Sequence, residues 1–232
     1  VNYNWRDMLF VSASIRREAS TKFGVNSRWG NFPSASIAWE MMEASFMDSA
    51  GEVVKSLKPR FSFGVTGREP GSSYQSLATY STKYQYFMDG EWVTGYAPSN
   101  NANPLLSWEK SVSYNIGVDF DLWNRLRGSV EYYIRQSPDL LYNYTAPQPP
   151  YVYNTILVNV GTTTNRGVEV CLNADVIKKK NFTWNSGVNY SYGRTYLTKL
   201  SNDVYQASYL ELYQKPGVGT SEYFFRVEEG GE

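Results

Sequence analysis

The stretch SVSYNIGVDFDLWNRLRGSVEYYIR, Ser111 to Arg135, decides the fold. Val112, Tyr114, Ile116, Val118, Phe120 and Leu122 alternate with Ser113, Asn115, Gly117, Asp119 and Asp121. A period of two means a β-strand with one apolar and one polar side. After a tight connection at Trp123 and Asn124 the pattern resumes, with Leu126, Val130, Tyr132 and Ile134 opposed to Arg125, Arg127, Ser129, Glu131, Tyr133 and Arg135. Each arm is about 11 residues, the length a tilted strand needs to cross a bilayer core. An apolar face, a charged face and aromatics toward the ends of the arms form the pattern of an outer-membrane barrel. A soluble β-sandwich alternates too, but its strands are usually about 5 to 6 residues long. The sequence predicts an all-β fold, an antiparallel transmembrane β-barrel segment, with a secreted β-sandwich as the alternative.

Composition narrows the function. Aromatic residues make up 16% of the chain, including 20 Tyr and 7 Trp. Mean hydropathy is −0.46, and no run of about 18 apolar residues exists, which excludes a helical membrane protein. Lys plus Arg and Asp plus Glu number 22 each, so no global basic field attracts nucleic acid. Cys171 is the single cysteine and there is no His. An internal disulfide, a Cys-rich zinc site, imidazole-ligated metal and a Ser-His-Asp triad are therefore excluded within this chain. No cofactor is implied.

Working outward, the remaining strands are expected at Met8 to Arg17, Ser34 to Glu40, Arg60 to Thr66, Asn165 to Ile177 and Phe182 to Leu197. With the two central arms they make seven. Residues 41–57, with Met41, Met42, Phe46 and Met47 among acids, read as a turn of helical character. Long connections are expected at 18–33, 67–108, 136–164 and after 200, with Tyr80 to Phe87 as a candidate hairpin arm inside the second. Short ones fall at 123–124 and at the basic run Lys178, Lys179, Lys180. Barrels of this kind place short turns on the periplasmic side and long loops on the extracellular side. Seven strands cannot close a barrel that uses an even number, so the chain is expected to be about seven strands of a larger closed barrel with long extracellular loops. Val1 to Asp7 shows no basic n-region followed by an apolar h-region. Either the protein is cytosolic, or the chain is an internal piece of a longer one.

Several motifs, in consistent order, resemble one family. Arg16-Arg17, Lys22-Phe23-Gly24 and Asn26 through Arg28-Trp29-Gly30 to Phe32-Pro33-Ser34 are similar to the barrel of SusC/RagA-type TonB-dependent transporters of Bacteroidetes. Trp39, Glu43, Phe46-Met47 and Gly64-Val65-Thr66-Gly67 continue the likeness. Asn103-Pro104, Leu106 and Trp108-Glu109-Lys110 resemble the family's Asn-Pro-x-Leu-x-Trp-Glu-Lys entry into a strand. Asn159-Val160-Gly161 and Asn165-Arg166-Gly167-Val168-Glu169 resemble its next loop and strand start. Arg68 and Arg166 depart from the usual Asn and Lys. Pro216 to Glu232 resembles an approach to further strands.

The resemblance implies that residues 1–232 are part of a TonB-dependent receptor β-barrel domain whose plug, TonB box and signal peptide lie upstream. It implies a closed barrel of roughly 22 strands, outer-membrane lipid around it, TonB as energy source and a SusD-like surface lipoprotein as lid. The implied function is active import of an oligomeric nutrient, an oligosaccharide or oligopeptide. The runner-up is a secreted carbohydrate-binding β-sandwich module.

Binding rather than catalysis is expected. Asp119, Asp121, Glu131 and Glu169 project to the polar side, and paired carboxylates can hydrolyse glycosides when suitably spaced. A wet barrel wall needs a polar lining in any case, and no matched acid/base constellation accompanies them. Aromatics in the long loops offer flat faces with a polar handle on which a sugar ring or an extended peptide can stack. Trp92, Tyr96, Tyr142, Tyr144, Tyr151 and Tyr153 are the candidates for substrate or lid contact, weighed against packing within their own loops. Trp29, Trp39 and Trp108 lie near strand ends and read as girdle or loop anchors.

Overall fold

The computed structural model describes residues 1–202, 204–207, 209–214 and 223–231. One eight-stranded antiparallel sheet dominates it. Its strands are β1 (Asn2–Trp5), β2 (Leu9–Ala19), β3 (Trp29–Trp39), β4 (Val54–Arg68), β7 (Glu109–Leu122), β8 (Leu126–Pro138), β11 (Thr162–Lys179) and β12 (Phe182–Lys199), in the order β1-β2-β3-β4-β7-β8-β11-β12. Three separate hairpins hang from it: β5 (Tyr80–Met88) with β6 (Glu91–Pro98), β9 (Leu141–Thr145) with β10 (Thr155–Asn159), and β13 (Tyr209–Gln214) with β14 (Tyr223–Glu228).

The register turns sequence alternation into two continuous faces. Tyr3, Val11, Ile37, Phe61, Ile116, Tyr132, Val168 and Tyr192 stand opposite one another from β1 to β12. The adjacent row points the other way: Phe10, Ala38, Arg60, Gly117, Glu131, Glu169 and Ser191. Among the described residues no second layer covers the apolar side, where Ile116 is 59% exposed. A β-sandwich would bury that side against a second sheet about 10 Å away. The sandwich expectation is thus not met, and neither end of the sheet pairs with the other.

Seven strands were expected and the sheet has eight. The addition is β1, whose four residues are too few to display a period. β3 starts at Trp29 rather than Ser34, so the connection expected at 18–33 shrinks to 20–28. Gly30, Asn31 and Pro33 disguise the strand. Pro33 is tolerated because β3 pairs with β4 only from Ser34 to Ala38, leaving no ladder bond for its missing N–H to make. The turn between β11 and β12 is Lys180-Asn181, since Lys178 and Lys179 still pair in the ladder. Residues 41–57 do carry helical turns, Met41–Glu43 and Ser45–Ala50. Tyr80 to Phe87 does pair as a hairpin arm, closed by Asp89 and Gly90 in the left-handed region. The β9–β10 hairpin lies in a stretch expected to be loop. Of the expected C-terminal approach, residues 216–222 and Glu232 lie outside the described residues.

Strand parity sorts the connections. Residues 6–8, 40–53, 123–125 and 180–181 turn at one rim, and the connections bearing the β5–β6 and β9–β10 hairpins rise from the other. Trp123 and Asn124 both take positive φ, the conformation that closes a tight hairpin in line with strand twist.

Candidate functional site

Buried apolar side chains gather at the long-loop rim. Phe23, Phe32, Leu106 and Trp108 form one cluster, bordered by Val65, Leu141 and Leu157. Ala146, Ile156, Val158 and Val160 form another, bordered by Tyr142, Tyr144, Tyr151 and Tyr205. Leu106 and Val158 are both 0% exposed. The Trp108 indole packs against Phe23 at 4.7 Å between ring centroids and edge-on to Phe32 at 5.2 Å. Its Nε1 donates to the Arg28 carbonyl at 3.1 Å. Trp108 is therefore a loop anchor.

The Asn-Pro-x-Leu-x-Trp-Glu-Lys run is a staple, and each residue has a mechanical part. Asn103 donates to the Leu157 carbonyl at 2.9 Å. Pro104 lies so close over Gly24 that no side chain fits there. Leu106 and Trp108 fill the first cluster, and the buried Glu109 carboxylate accepts from the Leu141 N–H at 2.8 Å. Arg68, the departure from the family pattern, reaches Glu109 at 3.5 Å.

Asparagine side chains stitch the loops together. Asn101 donates to the carbonyls of Tyr153 (2.6 Å) and Thr155 (2.9 Å) and accepts from the N–H groups of Val152 and Tyr153. Asn159 accepts from the Ser107 N–H and donates to the Ser107 and Asp139 carbonyls. Asn202 donates to the Asn159 carbonyl at 3.2 Å. A carboxamide carries the same donor and acceptor as a peptide group, so these residues replace a ladder where no strand runs. Sequence reasoning passed over them; the Asn100-Asn101-Ala102-Asn103 run was the available signal.

The structure divides the six aromatic candidates into two groups. Tyr142, Tyr144 and Tyr151 come together around the second buried cluster, where the Tyr144 ring meets Tyr205 at 5.1 Å and its hydroxyl donates to the Gln206 carbonyl. Burial pushes the Tyr205 hydroxyl above the usual tyrosine range, with the neighbouring Tyr151 and Tyr144 adding to the rise. Tyr153 is 38% exposed and donates its hydroxyl to the Pro98 carbonyl at 2.7 Å, joining the loop between β9 and β10 to the foot of β6. Trp92 and Tyr96 are elsewhere, on one face of the β5–β6 hairpin. They are 69% and 73% exposed, and Trp92 meets the Phe87 ring edge-on at 5.5 Å.

Below the rim, the polar face carries a ladder of paired charges. Arg60 reaches Asp119 at 3.3 Å and Glu131 at 2.5 Å, and Asn115 also donates to Glu131. Arg127 pairs with Asp121 at 3.2 Å, and Asp175 receives Lys178 at 3.8 Å and Asn185 at 2.9 Å. The four carboxylates expected on this side are on it. A serine ladder runs beside them, Ser12 to Ser36 at 2.7 Å and Ser14 to Ser34 at 2.8 Å. Tyr133 lies across Gly167 and Gly193, whose missing side chains make room for its ring. Among the described residues no group of His, Cys, Asp and Glu is arranged to hold a metal.

A single layer with an exposed apolar face, a charged opposite face and elaborated loops at one rim is the wall of a transmembrane β-barrel. Residues 1–223 match the family model for the TonB dependent receptor-like β-barrel. The chain belongs to that family, whose members reside in the outer membrane. It is 36% identical over 231 residues to TonB-dependent receptor P39 of Formosa agariphila, covering 99% of this chain and 20% of that protein. It is 30% identical over 227 residues to TonB-dependent receptor SusC of Bacteroides thetaiotaomicron, covering 95% of this chain and 22% of that one. Among solved structures the RagAB peptide transporter superposes with a TM-score of 0.80 at 26% identity, over 99% of this chain and 24% of that chain. The chain thus spans about a fifth of the length of the relatives it matches.

Proposed function

We propose that this chain forms part of the wall and mouth of a transporter that imports an oligomeric nutrient, peptide or glycan, across the outer membrane, and that it performs no catalysis. The apolar face contacts lipid, the charged face lines the lumen, and the loops with the β5–β6 and β9–β10 hairpins lie outside the cell. TonB supplies the energy through a segment outside this chain, and a SusD-like lipoprotein covers the mouth. The observation that carries the reading is the unbroken apolar row from Tyr3 to Tyr192, exposed on a sheet whose other face is wet. Names of relatives support it: a receptor called SusC and a peptide transporter.

Trp92 and Tyr96 are the residues assigned to substrate or lid, since they stand clear of the two buried clusters, whereas Tyr142, Tyr144, Tyr151 and Tyr153 act by holding the mouth in shape. The test is uptake of labelled oligopeptides and oligosaccharides by cells carrying the full-length protein, with and without TonB. Accumulation of one class that stops when TonB is deleted supports import, and uptake independent of TonB contradicts it. Trp92→Ala should weaken substrate or lid binding by about 2 kcal/mol or more if the ring is a buried anchor in the complex.

A further inference from the structure

The wet face of the wall holds charges that its ion pairs do not absorb. Glu131 on β8 and Glu169 on β11 stand directly opposite each other in the ladder. Arg60 and Asn115 donate to the two oxygens of Glu131, so its charge is met. Glu169 is exposed, and among the described residues no hydrogen bond or ion pair reaches it. Arg135 lies four residues (135 minus 131) along β8 toward the long-loop rim, about 13 Å at about 3.3 Å per residue. It donates to the Ser113 hydroxyl at 3.2 Å and has no carboxylate partner among the described residues. A carboxylate and a guanidinium are thus left open on one patch of wall.

A flat surface lies between them. Tyr133 is on the row between Arg135 and Glu131, and its ladder partners across β11 and β12 are Gly167 and Gly193. The tyrosine hydroxyl stands 2.7 and 2.8 Å from where the Cβ atoms of those glycines would be, so a side chain at either place would displace the ring. The ring therefore lies along the wall, one side on glycine backbone and the other toward the lumen. Asn115, Asn165 and Ser113 border the same open hollow, about 430 Å³ in volume. Cross-strand packing accounts for the ring over the glycines, but not for the two open charges beside it.

Chemistry identifies the ligand. The backbone of this sector is consumed by the ladder, β11 pairing with β8 from Thr162 to Ala174 and with β12 on its other side. An extended peptide brings an N–H and a C=O at every residue and would find no main-chain partner here. A sugar hydroxyl both donates and accepts, which suits a carboxylate, a guanidinium and carboxamides together. The C–H face of a sugar ring covers the apolar face of a tyrosine. The charges of Glu169 and Arg135 cancel, which matches an uncharged sugar.

We infer that Tyr133, Glu169 and Arg135 form a subsite on the lumen wall for an uncharged hexose unit of an oligosaccharide. Glu169 accepts from the sugar hydroxyls, Arg135 donates to them, and Tyr133 lies beneath the ring. The inference rests on the reading of the charged face as the transporter lumen, and it narrows the nutrient to a glycan.

The test is native mass spectrometry of the full-length transporter in detergent against two pools, neutral α- and β-linked hexose oligomers and a random peptide library of matching length. The wild type should retain at least one oligosaccharide. Glu169→Ala and Arg135→Ala should each weaken the retained sugar at least about tenfold, the size expected when hydrogen bonds to a charged group are lost. Asp48→Asn, at the tight-turn rim, should bind as the wild type does. Retention of peptides alone, of neither pool, or of a sugar whose affinity is unchanged in either alanine variant overturns the subsite. Should one of these variants fail to fold, as judged by heat-modifiable gel migration, the other decides. Failure of the lumen reading has its own readout. In a Cys171→Ser background in lipid vesicles, Glu169→Cys should react with a charged maleimide and resist a lipid-soluble one, and the reverse pattern would put this position in the membrane.

Discussion

On β7 and β8 Tyr114, Ile116, Val130, Tyr132 and Ile134 point outward and stay exposed, whereas in the loops at 99–108 and 139–161 Leu106, Trp108, Ile156, Val158 and Val160 turn inward and are buried. The backbone differs in the same two regions. In the wall β4, β7, β8 and β11 satisfy one another through long ladders, which is the condition for backbone in hydrocarbon. In the loops the ladder gives way to carboxamides and a carboxylate, Asn101, Asn103, Asn159 and Glu109. One chain therefore holds an inside-out region with its apolar side chains exposed and an ordinary core with its apolar side chains buried. What separates them is whether the apolar groups find partners in the chain.

Breaking the loop core should produce the largest effect. Trp108→Ala removes the ring shared by Phe23 and Phe32 and leaves a hole in the first cluster, a loss of about 3–5 kcal/mol for a buried Trp. In hydrogen exchange on the full-length protein, residues 99–108 and 139–161 should lose protection while β7 and β8 keep theirs. Simultaneous loss in the wall strands would mean that the two regions are one cooperative unit.

Ile116→Lys tests the wall. A cation at mid-membrane height costs a barrel about 2–4 kcal/mol, and the same change on the lumen side costs far less. Guanidinium unfolding in lipid vesicles should show Ile116→Lys destabilised and Ser62→Lys, on the opposite face, close to wild type. Equal destabilisation of both would contradict the assignment of faces.

A smaller loss is expected from Asn159→Ala, which leaves the Ser107 N–H and carbonyl without their side-chain partner. One unsatisfied buried group costs about 1–3 kcal/mol. Limited proteolysis should then cut within 99–108 before it cuts the β9–β10 hairpin. Unchanged cleavage would reduce the asparagine stitches to bystanders.

The smallest effect is one of pH. Glu69 accepts from Lys22 at 2.8 Å and from Ser20 at 2.7 Å, and these bonds hold its carboxyl below the usual carboxylate range. A lowered carboxylate stabilises fully above its ordinary value, and its contribution is lost as pH falls through the lowered one. Protection factors in residues 20–28, corrected for the intrinsic pH dependence of amide exchange, should therefore hold steady through mild acid and fall only below the ordinary carboxylate range. In Glu69→Gln they should be flat across that window.

The wall was legible because its information is local. Strands β7, β8, β11 and β12 announce themselves by period two, and pairing follows from adjacency. What escaped notice has a physical cause in each case. β1 is too short to show a period, β3 opens with Gly and Pro at a place where pairing with β4 has lapsed, and β9 and β10 are held by contacts with residues far away in sequence. The aromatic candidates were visible as residues but not as roles. Composition gives no sign that Tyr144 packs against Tyr205 while Trp92 stands clear, since that depends on which loop has a partner to lean on.

The asparagine stitches also bear on how such a mouth can be re-engineered. Asn101 and Asn159 read the backbone of the opposite loop rather than its side chains, so the sequence within each loop is free to drift while the spacing between them is not. A graft that moves residues 139–161 from a relative alone would arrive without its matching seam. Residues 99–108 and 139–161 form the smallest transplantable cassette, and a graft of the exposed β5–β6 hairpin has to keep its tie to that cassette, where the Tyr153 hydroxyl meets the Pro98 carbonyl.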